Sequence, residues 1–375
     1  MATRAIIIGA GIGGLTAALG LRRAGLEVEL YERAAAPNEV GAGLTIWANA
    51  LRALDQIGAG DLLGPISAPD LQGGIRAPDG ALLAGGSYGD LSAKLAVVVH
   101  RAELQAALVA RVGPASIRFG ESLSGLDQDG AGVTTRFAGG GSARADILIG
   151  ADGLRSTVRA QLHGEARPRY AGYTAWRAVV PFDTARLLPG ETWGRGARFG
   201  QVPMPGGRAY WFATQGAREG ERSPGGEKAA LLRAFAGWHA PIGALIAAAD
   251  EGAILRHDIY DRPPLARWGA GRVSLLGDAA HPTTPNLGQG ACQAIEDAAV
   301  LARCLGSGGD LAAALRRYEA LRIPRTAAIV RQSRMVGAMG QWRGAAAVGL
   351  RAWLLRNVIS RLQARQIDRL LNYQF

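Results

Sequence analysis

Lysine is nearly missing from this 375-residue chain. Of its 42 cationic side chains, Lys94 and Lys228 are the two lysines and 40 are arginine. Against 31 acids this gives a formal net charge of +11. Such a balance suits nucleic acid, acidic cofactors or a membrane surface. The arginines are scattered, however, and no aromatic-and-basic recognition motif accompanies them, so no nucleic-acid partner is expected. Cysteine is just as scarce. Cys292 and Cys304 fall on one expected helix, roughly 18 Å apart by helical rise, so they do not bridge. With no C-x-x-C pair, the chain reads as one from a reducing compartment. The five histidines form no H-x-x-x-H pair, and no Ser/His/Asp arrangement stands out, so neither a metal site nor a hydrolytic triad is expected. The longest apolar stretch, AIIIGAGIGGLTAALGL, lacks a cleavage pattern and is cut by Arg22-Arg23 before membrane-spanning length. A cytoplasmic protein is the expectation.

What is present is glycine, 54 residues of it, in a chain 48% hydrophobic and 19% charged. That composition is ordinary for a soluble enzyme of one large or two medium domains. Arg4 to Ile8 reads as a buried strand, Leu15 to Ala24 as a helix stopped by Gly25, and LEVELYER as a second strand ending at Glu32. Between them Gly9-Ala10-Gly11-Ile12-Gly13-Gly14 supplies G-x-G-x-x-G. The first glycine permits a tight turn, the second close backbone approach to a pyrophosphate, and the third close helix–strand packing. Glu32 stands where a carboxylate accepts the ribose hydroxyls of an adenine dinucleotide.

Strand-to-helix junctions recur at His100-Arg101 and at Asp152-Gly153, the latter feeding a helix with Arg155, Ser156 and Arg159. An antiparallel meander is expected between them. From about Tyr173 antiparallel strands take over, interrupted by a helical stretch near Leu231–Ala249. Val273 onward returns to strand, loop and helix: an apolar run ends at Gly277-Asp278, Pro282 and Pro285 stiffen the loop, and Gly288-Gln289-Gly290 opens a helix. From Asp310 the chain reads as helical almost to its end.

The glycine fingerprint, GADG at Gly150–Gly153 and GDAAHPTTPNLGQG at Gly277–Gly290 together resemble the single-component FAD-dependent aromatic hydroxylases of the para-hydroxybenzoate hydroxylase type. PNLGQGACQAIEDA and YWFAT are most similar to the branch holding salicylate hydroxylases, zeaxanthin epoxidase and tetracycline-inactivating monooxygenases. The resemblance implies an α/β fold: a Rossmann-like FAD-binding domain with an inserted antiparallel-sheet substrate domain and C-terminal helices. The boundaries expected are 1–170 and 271–340 for the FAD-binding parts, 171–270 for the sheet, and 341–375 for a C-terminal helix.

Residue by residue, the resemblance places FAD against Gly9, Gly11, Gly13, Gly14, Glu32, Arg33 and Arg101. It adds Asp152, for both FAD and the nicotinamide coenzyme and partly by ordering Arg155 and Arg159, then for FAD Asp278, Pro285, Gly288, Gln289 and Gly290. A helix start aimed at the pyrimidine edge of the flavin would stabilise the anionic reduced ring. Asp152 also reads as a plain helix cap, and His281 as a loop-structuring group. On the middle sheet Arg198 and Tyr210 are the expected catalytic pair, one orienting a substrate oxygen and the other its ring. Trp176, Arg177, Phe212 and Asn286 are the expected substrate contacts. By period two Tyr210 and Phe212 share a face that Trp211 does not. In the urate-oxidising branch an aspartate holds the place of Asn286, so the asparagine argues mildly against urate.

The activity implied is NADH- or NADPH-dependent reduction of FAD, followed by transfer of one oxygen atom from O2, through a flavin hydroperoxide, to an aromatic or polyene small molecule in a dry pocket. Rival readings are a flavin oxidase or dehydrogenase, a non-catalytic scaffold, or a halogenase, against which the missing W-x-W-x-I-P element and the scarcity of lysine both count. Leu350, Leu354, Val358 and Leu362 recur at helical spacing among arginines. They suit either docking on the protein or weak contact with a membrane surface. The chain is expected to be a monomer or homodimer.

Overall fold

The computed structural model describes residues 2–37, 42–69, 73–85, 96–359 and 373. A five-stranded parallel sheet forms the first half of the molecule, in the order Val273–Leu275, Ile147–Gly150, Arg4–Ile8, Glu27–Glu32, Ile117–Phe119. Its central strand is buried on both faces from Ala5 to Ile8, as its unbroken β-branched run requires. The first helix, Ile12–Arg23, crosses to one face and packs on helix Gly290–Gly306. Contact is close enough that a Cβ on Gly20 would lie 3.1 Å from that of Ala302. The meander appears as expected, with strands Leu123–Gln128, Val133–Phe137 and Ser142–Ala145.

The second half is a seven-stranded sheet in the order Leu255–Asp261, Arg169–Pro181, Arg208–Gly216, Ala197–Met204, Gly190–Trp193, Gly74–Arg76, Leu82–Ala84. Its last two strands come from the 1–170 segment, so the sheet is not built from 171–270 alone. One face is covered by two short helices, Glu227–Ala234 and Ile242–Ala248. These replace the single expected stretch near Leu231–Ala249. Gly237, at φ +77°, and Pro241 lie in the break between them. The other face borders the cleft toward the first half: Met204 and Tyr210 pack on Val98 and Gly43 at one side of it, and Arg198 on the long helix Leu311–Gly340 at the other.

That long helix is capped by Asp310, whose Oδ1 accepts the Ala313 N–H at 2.7 Å. After a break at 341–344, helix Ala345–Leu354 follows. Arg351 and Leu355 turn inward, each 1% exposed, while Leu350 and Trp353 stand 53% and 55% exposed. The stripe that docks is therefore not the expected one through Leu350. The Val358 side chain and Leu362 lie outside the described residues.

Candidate active site

The first turn is shaped by sterics. Gly9 has φ +106°, and a Cβ there would sit 2.4 Å from the Ala151 carbonyl oxygen. On Gly14 it would fall 1.8 Å from the Gly9 oxygen. The fold itself demands both glycines. Around Gly11, by contrast, a Cβ would meet nothing within 4 Å. The space there is open, at the start of a helix with no side-chain cap and no acid in its first turn, which is the cradle an anionic diphosphate needs. Gly13 differs from expectation: it faces Leu276 and Ala294 at 2.9 and 3.2 Å, so it serves packing. Glu32 is fixed by two backbone donors, the Ala10 N–H at 2.8 Å and the Ala34 N–H at 2.9 Å. Arg33 and Arg101 are both exposed. Arg101 opens the helix Arg101–Val112, beside Ala42.

Asp152 turns out to be a helix cap. Its Oδ2 accepts the Thr157 and Val158 N–H groups at 2.7 and 3.2 Å. Its other oxygen, Oδ1, is buried without a partner among the described residues, and desolvation holds the carboxyl above its ordinary range. It orders neither Arg155, which is exposed, nor Arg159. The Arg159 guanidinium instead donates to the carbonyls of Ala279 and Ala280 at 3.0 and 2.9 Å, clamping the loop that carries Asp278.

Asp278 opens onto the cleft and has no hydrogen-bond partner among the described residues. The surrounding protein still desolvates it enough to raise its pKa, against the positive influence of His281 and Arg101. The loop is fastened from behind. Asp297 Oδ2 accepts the Gly277 N–H at 3.0 Å and lies 2.6 Å from His281 Nε2, which bears out the loop-structuring reading of that histidine. Further along, Pro285–Leu287 makes a single 3-10 turn with Pro285 exposed, and Gly288 follows at φ +60°. A Cβ on Gly288 would lie 3.0 Å from Trp47 Nε1, itself buried and unpartnered. Helix Gly290–Gly306 then starts with no side-chain cap and no acid in its first turn.

Gln289 departs from expectation. Its side chain is fully buried, accepting from Asn49 at 3.1 Å and Gln293 at 3.0 Å. It belongs to a polar network that the sequence reading missed. Glu296, Asp297 and Arg322 are each 0% exposed. Arg322 donates to Glu296 at 2.5 Å and to Asp297 at 2.6 Å, and Arg325 pairs with Glu296 at 2.6 Å. Burial pushes both carboxyls up, but Arg322 and Arg325 at Glu296, and His281 and Arg322 at Asp297, overcome it and hold both below their ordinary range. The signal available was Glu296-Asp297 in an otherwise apolar helical run, which no local partner explains.

On the sheet, strand register sorts the expected substrate residues. Arg177 pairs with Phe212 and Val179 with Tyr210, so these four share the cleft face with Val202 and Met204. Tyr210 lies flush on Gly43, where a Cβ would come within 2.3 Å of its ring. Desolvation raises its phenol pKa, opposed by Arg177. Trp176 is on the other face. It packs under the two short helices with its Nε1 donating to Glu227 at 2.7 Å, so it does not line the cleft.

Arg198 is on the cleft face but 1% exposed. Its Nη2 donates to Asn286 Oδ1 at 2.9 Å, and its guanidinium lies over the Trp193 ring at 5.0 Å. Its Nε lies 3.7 Å from Glu191 Oε2, and neither Nε nor Nη1 has a hydrogen-bond partner among the described residues. It therefore reaches the cleft through Asn286 rather than directly. Asn286 Nδ2 in turn donates to the Tyr173 hydroxyl, Thr284 Oγ1 and the Ser333 carbonyl at 2.9, 2.8 and 2.9 Å.

An open diphosphate cradle, a ribose-ready carboxylate and a second acid at a glycine-gated loop define a dinucleotide flavoprotein. The chain matches the FAD binding domain family over residues 2–333 and belongs to it. It is 44% identical over 366 residues, 96% of each chain, to the aurachin C monooxygenase/isomerase of Stigmatella aurantiaca. It is 38% identical over 344 residues, 88% of each chain, to a FAD-dependent urate hydroxylase of Klebsiella pneumoniae. Its structure resembles that of Klebsiella pneumoniae HpxO complexed with FAD and uric acid, with TM-score 0.91 and 35% identity, covering 98% of this chain and 97% of that one. The protein is an FAD-dependent, NAD(P)H-consuming monooxygenase of the aromatic-hydroxylase type.

Proposed function

We propose that this enzyme inserts one oxygen atom into an aromatic or polyene substrate of low polarity, of the kind named for the aurachin C relative, and not into urate. The observation that carries this reading is the cleft wall. Val98, Val179, Val202, Met204, Tyr210 and Phe212 form an apolar cluster. Of the polar side chains beside it, Asn286 has its donors and acceptor already engaged by protein groups, and Arg177, next to Phe212 on the same face, offers donors but no acceptor. The N–H groups of a ring such as urate would lose water there without gaining acceptors. An apolar ring would not.

When bound, FAD accepts the hydride and activates oxygen. The chain supplies the rest. Gly11 and the first amides of helix Ile12–Arg23 would hold the diphosphate, Glu32 the adenosine ribose, and Asp278 a further hydroxyl. The amides opening helix Gly290–Gly306 would face negative charge on the reduced ring, where the positive end of the helix stabilises it. Tyr210 and Phe212 orient the substrate ring and exclude water. Arg198 and Tyr173 hold Asn286, and through it the Pro285–Gly288 turn, against the sheet.

No helix among the described residues is long and apolar enough to cross a membrane. We place the enzyme in the cytoplasm as a monomer or homodimer, with the exposed Leu350–Trp353 face available for weak contact with a membrane surface. The test is product formation from aurachin C and from urate, with NAD(P)H oxidation followed in parallel. Tyr210→Phe and Arg198→Ala should keep FAD yet divert more reducing equivalents to hydrogen peroxide, because misplacing the ring is costly. Faster turnover of urate than of aurachin C, or unchanged coupling in both variants, would overturn the reading.

A further inference from the structure

The buried polar network behind helix Gly290–Gly306 has an outer edge. Arg325 stands there, with its side chain 11% exposed where those of Arg322 and Glu296 are at 0%. Its guanidinium edge is taken up by Glu296. Nε donates to Oε2 at 2.7 Å and Nη2 to Oε1 at 2.6 Å, a two-pronged fork. The flat face of the guanidinium is left over, and Tyr373 covers it. The Tyr373 ring centroid lies 4.0 Å from Arg325 Cζ and 5.9 Å from Arg322 Cζ, so one ring is in range of both cations. An arginine stacked on an aromatic face keeps its edge donors for a carboxylate.

Glu296 passes this restraint inward. Its Oε1 accepts from Asn49 Nδ2 at 2.5 Å and from Gln293 Nε2 at 3.1 Å. The same two side chains donate to Gln289 Oε1, at 3.1 and 3.0 Å. Gln289 is the residue on which helix Gly290–Gly306 opens. Asn49, Gln289 and Gln293 are each no more than 1% exposed, so a displaced neighbour is not replaced by bulk water. We propose that Tyr373 is a positioning residue: stacked on Arg325, it holds the fork on Glu296 and so sets the opening turn of helix Gly290–Gly306 against the flavin. The inference rests on the reading above that the opening amides of that helix face negative charge on the reduced ring. Without the stack, water reaches the Arg325–Glu296 pair, and a screened fork no longer fixes Glu296. The helix opening then points less well at the ring. The reduced, anionic form loses more binding than the oxidised one.

FAD titration and the midpoint potential of the bound flavin test this without a substrate. Tyr373→Leu and Tyr373→Gln should each lower the potential by about 30 mV, a tenfold weaker hold on the reduced ring for this two-electron couple. Oxidised FAD should bind as it does to wild type. Tyr373→Phe keeps an aromatic face and should match wild type in both measurements. Gln289→Ala breaks the last link directly and should lower the potential at least as far. A purely structural Tyr373 would show a lower melting temperature in Tyr373→Leu with the potential unmoved, and that result would overturn the proposal. So would a Tyr373→Phe variant shifted as far as Tyr373→Leu, which would assign the effect to the hydroxyl. A shift in Gln289→Ala with none in Tyr373→Leu or Tyr373→Gln would remove the role of Tyr373 and leave the helix-to-flavin reading standing. No shift in any variant would remove both.

Discussion

The two acids proposed to hold the cofactor, Glu32 and Asp278, are held in different ways. Glu32 is positioned by its own neighbourhood: the turn at Gly9–Gly11 brings the Ala10 N–H to one oxygen, and the Ala34 N–H two residues on reaches the other. Asp278 has no such local frame. Its loop hangs from Asp297 and His281 on one side and from Arg159 on the other, and Asp297 is in turn gripped by Arg322. One acid is set by a short motif, the other by partners far along the chain. The first should therefore tolerate damage elsewhere in the protein, and the second should not.

The sharpest way to break the second arrangement is Asp297→Ala. It would leave Arg322 buried and short of a partner, and removing one member of a buried ion pair costs about 3–5 kcal/mol. Urea unfolding of the FAD-free protein should show this, with Glu32→Ala far milder. The same network predicts an acid limit. Glu296 and Asp297 have folded pKa values below their unfolded ones, near 4. Their stabilisation is complete above that pH and lost as pH falls through the lower folded values. Asp297→Asn should reduce the steepness of unfolding in that acid range.

Next in size come the glycines of the first turn. Gly14→Ala drives a Cβ into the Gly9 carbonyl and should cost about 3 kcal/mol or prevent folding, in line with overpacking. Gly11→Ala puts the same atom into open space, so stability should hold while the FAD dissociation constant rises about tenfold, a loss of about 1.4 kcal/mol. Equal effects from both would refute the division of labour. Asp278→Asn and Glu32→Gln should each weaken FAD by about 1.5–3 kcal/mol, the worth of a hydrogen bond to a charged acceptor. Flavin release on titration measures it.

That contrast also explains what could be read in advance. The βαβ unit, Glu32, the Gly277-Asp278 loop and the shared face of Tyr210 and Phe212 follow from local periodicity and turn chemistry, and all are present in the fold. Gln289, Arg198 and Trp176 were placed by position in a motif or strand, but the partners that fix their side chains lie on distant segments. Gln289 is drawn inward by Asn49, Arg198 is held by Asn286 and backed by Gly340, and Trp176 faces helices whose docking no strand pattern reveals. The Glu296–Asp297–Arg322 cluster was illegible for the same reason: its acids lie on helix Gly290–Gly306 and its arginine on helix Leu311–Gly340, 25 and 26 residues further on.

The smallest expected effect concerns Asn286→Asp. The new carboxylate would pair with Arg198 but turn an oxygen toward the Ser333 carbonyl in place of a donor. The two terms oppose each other, and a net change of about 1 kcal/mol or less in melting experiments is expected. If aspartate here also opened the enzyme to urate, the apolar-wall reading would sharpen into a single-residue switch.

The long helix Leu311–Gly340 ends on two bare positions. A Cβ on Gly337 would come within 2.4 Å of Asn286 Nδ2, and one on Gly340 within 2.8 Å of Arg198 Cδ. A glycine inside a helix gives up about 1 kcal/mol relative to alanine, yet both are kept where the helix meets the polar pair. They act as a depth stop, setting how far Arg198 and Asn286 can retreat from the cleft. Replacing either with alanine would firm up the helix while pushing the pair forward. The reach of the pocket floor can thus be retuned from the helix behind that pair.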